Sequence, residues 1–556
     1  MERTPRNIVR WLFASDAGPR NRFVPRWFFL RSLAAIYFSA FLALIYQIRG
    51  LTGPDGILPA RDFLDAVAAQ TGIQRFWYAP SLFWLNSGST WMMAVVWIGL
   101  AASVLAFLNL WPRFSFVLCF ACFLSFVCTA RDFSGYQSDG MLLAAGFLAL
   151  FFAPRGFWPG WGTDSPPPRA ALFLLLWEWF RIYFESGLVK LLSGDPEWRH
   201  LTAMDHYYQN GPLPTWIGWY VQHFPHWFQV ATAAGTLAME LGVVWMLFLP
   251  RRLRLILFCI VTPWEIGVIV TANYAFLNYL VLVLGFLLLD DRSVRWLVPR
   301  RFRGSLDAAE ASIAEPEPVA EPSLSILTAS DHAAPIPQSS PLDARGWRGH
   351  LRAARLAVVA VLLLWIGYDT TAKLVLIPWP EFPIFTAPVT ALEPLRIANR
   401  YGLFAVMTRG RYEIEFQGSN DGQAWTPYRF CHKPQALDQA PGIYAPYQPR
   451  FDWNLWFASL ADWQQANIVP ITEEKLLLGD PAVLSLFCGN PFPDQPPKYV
   501  RAVLWQYWFT TLAEKRATGD WWTRQYVGLY APVLTLAPNG KFGVLQWPAP
   551  LPPPHD

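Results

Sequence analysis

Runs of about 20 mainly apolar residues recur from Phe28 to Leu289, and one more runs from Leu356 to Ile377. Each is long enough to cross about 30 Å of hydrocarbon as a helix. Hydropathy predicts spans near Phe28 to Ile48, Thr90 to Leu110, Phe114 to Ala130, Met141 to Ala153, Ala170 to Leu192, Phe228 to Leu249, Leu253 to Thr271, Tyr274 to Leu289 and Leu356 to Ile377. The pattern therefore predicts a polytopic helical membrane bundle of about nine spans. Six arginines lie in the first 26 residues, and the first span is too long for a signal-peptide core, so residues 1–27 read as a basic cytoplasmic tail. Residues 28–290 form the membrane domain with about eight spans, and 353–378 the ninth. Between them, 291–352 are basic and then Pro- and Ala-rich, and Gly304 to Gly346 lacks the apolar periodicity of a core, which predicts a disordered cytoplasmic linker.

After the last span the period changes to two. In Arg411 to Gln417, Tyr412, Ile414 and Phe416 share one face and the charged residues take the other, as in a half-buried strand. Ser419-Asn420-Asp421-Gly422 supplies turn residues that tolerate positive φ, and Trp425 to Phe430 resumes an extended pattern, so a hairpin is expected. Phe451 to Ala466 reads as helix, with Trp453, Trp456, Phe457 and Leu460 on one face; further strands are expected at Tyr499 to Phe509 and Tyr526 to Leu536. Residues 381–547 thus form a β-rich mixed exterior domain, followed by a Pro-rich tail, 548–556.

Charge sets the orientation. With the N-terminus inside and nine crossings, the inside segments hold 20 arginines and the outside loops five (Arg49, Arg61, Arg75, Arg131, Arg199), the asymmetry that the positive-inside rule requires. The exterior domain then lies across the membrane from the tail. Only 15% of residues are charged against 54% hydrophobic, which excludes an ordinary soluble enzyme. A net charge of +4 without a basic stripe argues against nucleic acid as a partner.

Candidate chemistry is sparse. The chain has no G-x-S-x-G, Walker A, H-E-x-x-H or G-x-G-x-x-G motif. The fifth span carries Glu178, Arg181, Glu185 and Lys190, and ionisable groups at such depth are paired or functional. Glu178, Arg181 and Glu185 share one narrow stripe, whereas Lys190 lies off it near the outer end. Two readings stand: a self-neutralising ladder with a snorkelling lysine, or a polar site facing a cavity, joined by Asp139, Glu240 and Glu265. The loop from Ser193 to Trp227 contains His200, His206, His223 and His226, but the proline between the last two and the lack of a cysteine favour interfacial packing over zinc. No metal or cofactor is expected. Cys431 and Cys488 are the only exterior cysteines; they pair if the compartment is oxidising, the alternative being two buried thiols.

Several long motifs resemble the lipase maturation factor family: SGLVKLLSGDPEWRHLT from Ser186, Tyr401 to Phe404, RYEIEFQGSNDG from Arg411, APYQPRFDWNLWFASL from Ala445 and NPFPDQPPKYVRA from Asn490. The tract Tyr136 to Ala144 departs from the family pattern, with Ser138 where Trp is usual and Ala144 where Glu is usual, while Asp139 is kept. The resemblance implies a multi-pass protein acting in the folding and assembly of secreted lipases. In animals the family resides in the endoplasmic reticulum membrane with a lumenal C-terminal domain. The long acidic, Pro-rich linker and the absence of a C-terminal retention tetrapeptide point here to a bacterial inner-membrane homologue with a periplasmic domain. A secreted lipase or other exported hydrolase is the expected client, with the bilayer as the other partner. Arg450, Asp452, Trp453, Trp456, Phe457, Trp521 and Trp522 are candidates for client binding; the competing expectation is that most of the aromatics are the domain's own core.

Two local resemblances suggest other classes. Ser186 to Leu191 is similar to a stretch of vitamin K-dependent carboxylase, which implies an integral-membrane enzyme with Lys190 as its base. The GSNDGxxW hairpin resembles galactose-binding-like β-sandwiches, which implies a jelly roll and a carbohydrate- or lipid-binding module. The non-enzymatic maturation factor is the leading reading.

Overall fold

The computed structural model describes residues 5–300, 303–304, 306–308 and 347–550. Among them a helix covers each predicted span: α2 (Phe23–Thr52), α3 (Ser89–Phe107), α4 (Pro112–Thr129), α5 (Gln137–Phe152), α6 (Arg169–Leu192), α8 (His226–Leu241), α9 (Arg251–Thr271), α10 (Leu277–Gly285) and α11 (Trp347–Val375), with the short α7 (Trp216–Gln222) in the loop between α6 and α8. A 3-10 segment, Val243–Phe248, extends α8, and another, Phe286–Leu288, extends α10. Six of these helices are long and apolar enough to cross a membrane. Gln137–Phe152 and Leu277–Leu288 are shorter, and Arg169–Leu192 is long but carries the four ionisable residues. Prolines mark several helix starts, because their fixed φ suits the entry to a helix and costs no needed donor: Pro112 opens α4, and Pro168, Pro225 and Pro250 precede α6, α8 and α9. Close packing of α5 on α2 requires a glycine, since a Cβ at Gly146 would lie 1.9 Å from the Tyr37 hydroxyl.

The N-terminal segment is not a bare tail. Pro5–Phe13 forms α1, which packs against α6 and α11, and Arg169 lies 4.5 Å over the Trp11 ring. The first span begins at Phe23, so Arg22 and Arg26 are buried instead of flanking the membrane. Arg22 donates to the Leu287 and Leu289 carbonyls, and Arg26 to those of Trp161, Gly162 and Ser165. Guanidinium groups with five donors satisfy the helix ends and loops that meet there. The expected linker from Gly304 to Gly346 lies almost wholly outside the described residues, as do positions 551–556 of the Pro-rich tail. The ninth helix begins at Trp347, earlier than expected.

The C-terminal domain is built on one antiparallel six-stranded sheet ordered β2-β1-β3-β5-β6, with β4 also on β3. β1 (Arg411–Ser419) pairs along its whole length with β3 (Tyr499–Phe509), with Ile414 opposite Leu504. The expected hairpin is present: Gly422 has φ +75° in the turn, and β2 (Thr426–Pro427) returns beside β1. β4 (Trp522–Leu529) and β5 (Val533–Leu536) share the other edge of β3, and β6 (Phe542–Gln546) is an outer strand on β5. Helices α12 (Arg450–Ala458) and α13 (Ile468–Leu478) cover the apolar face, where Phe416, Phe430, Phe451 and Phe487 pack together. The galactose-binding-like sandwich is corrected accordingly: among the described residues helices, not a second sheet, complete the core.

The half-buried strand is also corrected, since every residue of β1 is buried. Its polar face is satisfied internally: Glu413 pairs with Arg411 and with Lys433 (2.9 Å), and Glu415 accepts from Gln417 (2.6 Å) and Arg524 (3.4 Å). Arg411 also donates to the carbonyls of Gln209, Gly211 and Pro212, in the loop between α6 and α8. A charged strand face normally turned to water is here covered by Lys433, Gln435 and Arg524 of the same domain and, at Arg411, by the loop between α6 and α8.

Candidate functional site

The segments after α4, α6 and α9 meet the sheet domain at one end of the bundle, where Asp139, Glu178, Arg181 and Glu185 are engaged by it. Arg181 pairs with Glu185 at 2.6 Å, but Glu178 does not complete the expected ladder. It accepts a 2.7 Å hydrogen bond from the Tyr401 hydroxyl, Glu185 accepts one from the Tyr401 backbone N–H (2.7 Å), and Arg181 donates to the Asn399 carbonyl. The stripe is therefore a seat for the segment that leads from α11 into the sheet. Burial and the neighbouring Glu178 hold the Tyr401 phenol well above its ordinary range, so it stays a donor.

Asp139, at the start of α5, receives two 2.7 Å hydrogen bonds from Arg450 at the start of α12. Arg450 also donates to the Phe133 carbonyl, and its backbone N–H reaches Gln47 of α2 (2.7 Å for each). Asn273 binds the backbone of Gly442, Tyr444 and Ala445. The sequence reading missed Tyr401, Gln47 and Asn273 as anchors; isolated amides within apolar runs are the signal that marks the last two.

Lys190 and Glu240 form a separate pair, 2.6 and 2.8 Å apart through both carboxylate oxygens, with Lys190 buried. The snorkelling lysine is thus corrected: the ammonium turns inward because α8 supplies a carboxylate. The pair lines a cavity of about 570 Å³ between α6, α8, α9 and α10, together with Glu265. Glu265 accepts from the Tyr183 hydroxyl and from Asn278 Nδ2 (2.9 Å). Of the predicted intramembrane residues, Lys190, Glu240 and Glu265 meet at the cavity; Asp139, Glu178, Arg181 and Glu185 do not line it.

No group of three His, Cys, Asp or Glu able to hold a metal occurs among the described residues. His223 lies 2.7 Å from the Trp219 carbonyl and 3.0 Å from that of Thr510, tying the loop to the sheet, and His226 contacts Asp205 at 3.1 Å. Cys431 and Cys488 form a disulfide with a Cα separation of 5.1 Å.

The client-binding candidates separate into two groups. Arg450, Asp452, Trp453, Trp456 and Trp522 are buried and unavailable to a partner. Trp453 packs on Tyr136 of the membrane domain, Asp452 meets His432 at 3.1 Å, and Trp522 stacks on Phe509. Their bulk closes the junction and the core. Phe457 remains exposed, and half-buried Trp521 packs against Trp219 under Lys515. A groove of about 660 Å³ runs past Tyr412, Leu460, Trp463, Val527 and Pro548, beside the exposed Trp547, which packs on Trp463.

Two family models match the chain: the lipase maturation factor transmembrane domain over residues 24–296 and the lipase maturation factor C-terminal domain over 397–532. Lipase maturation factor 2 of Gallus gallus is 32% identical across 94% of this chain and 83% of its own length. Lipase maturation factor 2 of Homo sapiens is 30% identical, covering 94% and 83%. Lipase maturation factor 1 of Mus musculus is 30% identical, covering 94% and 89%. No solved structure matches.

Proposed function

Because the chain belongs to the lipase maturation factor family, we propose that it is a membrane-anchored maturation factor assisting the folding and assembly of a secreted lipase or related exported hydrolase. The observation that carries this reading is similarity to relatives of that name across the membrane bundle and the sheet domain together. The chain crosses the membrane nine times, with its N-terminus inside and the sheet domain on the periplasmic face of a bacterial inner membrane or in the lumen of a eukaryotic endoplasmic reticulum. The arginine asymmetry supports this, as does the gathering of the outer loops beneath the sheet. Client contact falls on the groove beside β6, where Leu460 and the neighbouring Trp547 offer apolar surface without dismantling the core.

The carboxylase-like alternative requires a free amine at position 190, whereas Lys190 is one half of an ion pair with Glu240. Co-expression with a secreted lipase tests the proposal. The wild type should raise lipase activity, and a Leu460→Asp, Trp547→Ala variant should lose that effect at unchanged lipase synthesis and unchanged membrane level of the factor. Lipase activity indifferent to the presence of the wild-type factor would overturn it.

A further inference from the structure

At the end of the bundle away from the sheet, α1, the start of α4, the end of α5 and the start of α11 surround a groove of about 780 Å³. α11 packs on α1 and α6 but makes little direct contact with α4 or α5, which leaves the groove open between them. Its rim is basic. Arg10, Arg113, Arg155, Arg352 and Arg355 line it, and among the described residues the one acidic group there, Asp16, is already paired with Arg10 at 2.5 Å.

The positive-inside rule accounts for arginine at this level of the bundle, but not for arginines left without partners around one groove. Elsewhere at the same end Arg22 and Arg26 donate to carbonyl groups, and Arg251 holds Asp290 through two hydrogen bonds. Here Arg113 gives its Nε to the Ala153 carbonyl (2.8 Å), and among the described residues Arg155, Arg352 and Arg355 have neither a hydrogen bond nor a carboxylate within 4 Å. Arg113, Arg155 and Arg355 are close enough to repel one another. Partial burial, and then Arg355, hold the Arg155 guanidinium below its ordinary range, with Asp16 offsetting part of the effect. An anion placed among these groups relieves the repulsion, and guanidinium forks match the oxygens of a phosphate.

Below the rim the walls are apolar. Val117, Leu150, Phe151, Leu356 and Val359 line the deeper part, and Val359 lies two turns, or about 10 Å, along α11 from Arg352. Val117 is exposed on α4, so the apolar wall continues onto the outer surface of the bundle. A soluble phosphate compound would use the rim alone. A phospholipid uses both parts, with its phosphate among the guanidinium groups and the first carbons of its chains on the wall. A lipid whose head carries its own cation is disfavoured by the surplus of arginine, which selects an anionic head.

We infer that this groove binds an anionic phospholipid of the leaflet on the N-terminal side, its phosphate held among Arg155, Arg352 and Arg355 and its chains entering between α4, α5 and α11. The full chain in detergent is titrated with phosphatidylglycerol or with phosphatidylcholine of the same chains and followed by native mass spectrometry. Phosphatidylglycerol should bind about tenfold more tightly. Arg155→Gln, Arg352→Gln and Arg355→Gln together should bring it to the phosphatidylcholine level, with thermal unfolding in lipid-free detergent unchanged. The wild type supplies a second reading that needs no variant: phosphatidylglycerol with a diazirine high on one chain should label Val117, Leu150 or Val359, and excess glycerol 3-phosphate should not displace it. Equal binding of the two lipids, displacement by glycerol 3-phosphate, or labelling spread over exposed positions of α9 such as Ile256 and Ile260 would overturn the inference. So would phosphatidylglycerol binding that appears only after Glu310→Gln, Glu315→Gln, Glu317→Gln and Glu321→Gln together, since the chain's own acidic segment would then be the occupant.

Discussion

Arg450 and Asp139, 311 residues apart in sequence, face each other through two 2.7 Å hydrogen bonds with both side chains wholly buried. One belongs to the sheet domain and the other to the membrane bundle. The two domains are therefore joined by a charge pair that neither can satisfy alone, backed by Tyr401 on Glu178 and by Arg411 on the loop carbonyls.

Breaking this pair from either side leaves a buried charge without its partner. Arg450→Ala or Asp139→Ala should each cost about 3 to 5 kcal/mol, and the double variant clearly less than their sum. Thermal unfolding of the purified protein in detergent measures the cycle, and faster protease cleavage between α11 and β1 should accompany each single change. Additive losses would show that the pair does not couple the domains.

The Cys431–Cys488 bond closes a loop with a sequence separation of 57. Loop-closure entropy for such a length is about 4 kcal/mol, so Cys431→Ser should lower the stability of the sheet domain by an amount of this order. Alkylation before and after reduction checks the bond. Alkylation of Cys431 and Cys488 themselves in the folded, unreduced protein, as distinct from the free Cys119, Cys122, Cys128 and Cys259, would refute it.

Glu473 of α13 is wholly buried, and among the described residues no cation pairs with it. Burial pushes its carboxyl well above the ordinary glutamate range, and Glu474 adds to the shift. The folded state then keeps a proton that the unfolded chain releases above pH about 4.5. Stability should fall as pH rises through that window, by about 1.4 kcal/mol per pH unit until the folded group itself ionises. Glu473→Gln should flatten this slope and raise stability at neutral pH. An unchanged pH profile in the variant would assign the slope to another group.

Nine crossings put a reporter fused after His350 inside and one after Asp556 outside. Paired fusions that report one and the same compartment contradict the proposed topology.

The local pattern along the chain determined the positions of the nine apolar helices, the hairpin turn at Gly422 and the bounds of β3. Those features depend on the period of side chains within one element and on residues suited to one backbone conformation. Charge on neighbouring turns likewise made the Arg181–Glu185 contact legible, because both partners lie on one helix face. The tertiary structure alone decided which charges are paired across the molecule. Glu240 stands 50 residues from Lys190, and nothing in the local spacing of α6 distinguishes a lysine reaching the interface from one drawn inward by another helix. The same holds for the polar face of β1: alternation correctly separates its two faces, but whether the charged face meets water depends on segments such as Gln209 to Pro212 folding over it. Arg450 and Trp453 look like contact residues in sequence for this reason, since a buried junction between two domains uses the same aromatic and guanidinium chemistry as a binding surface.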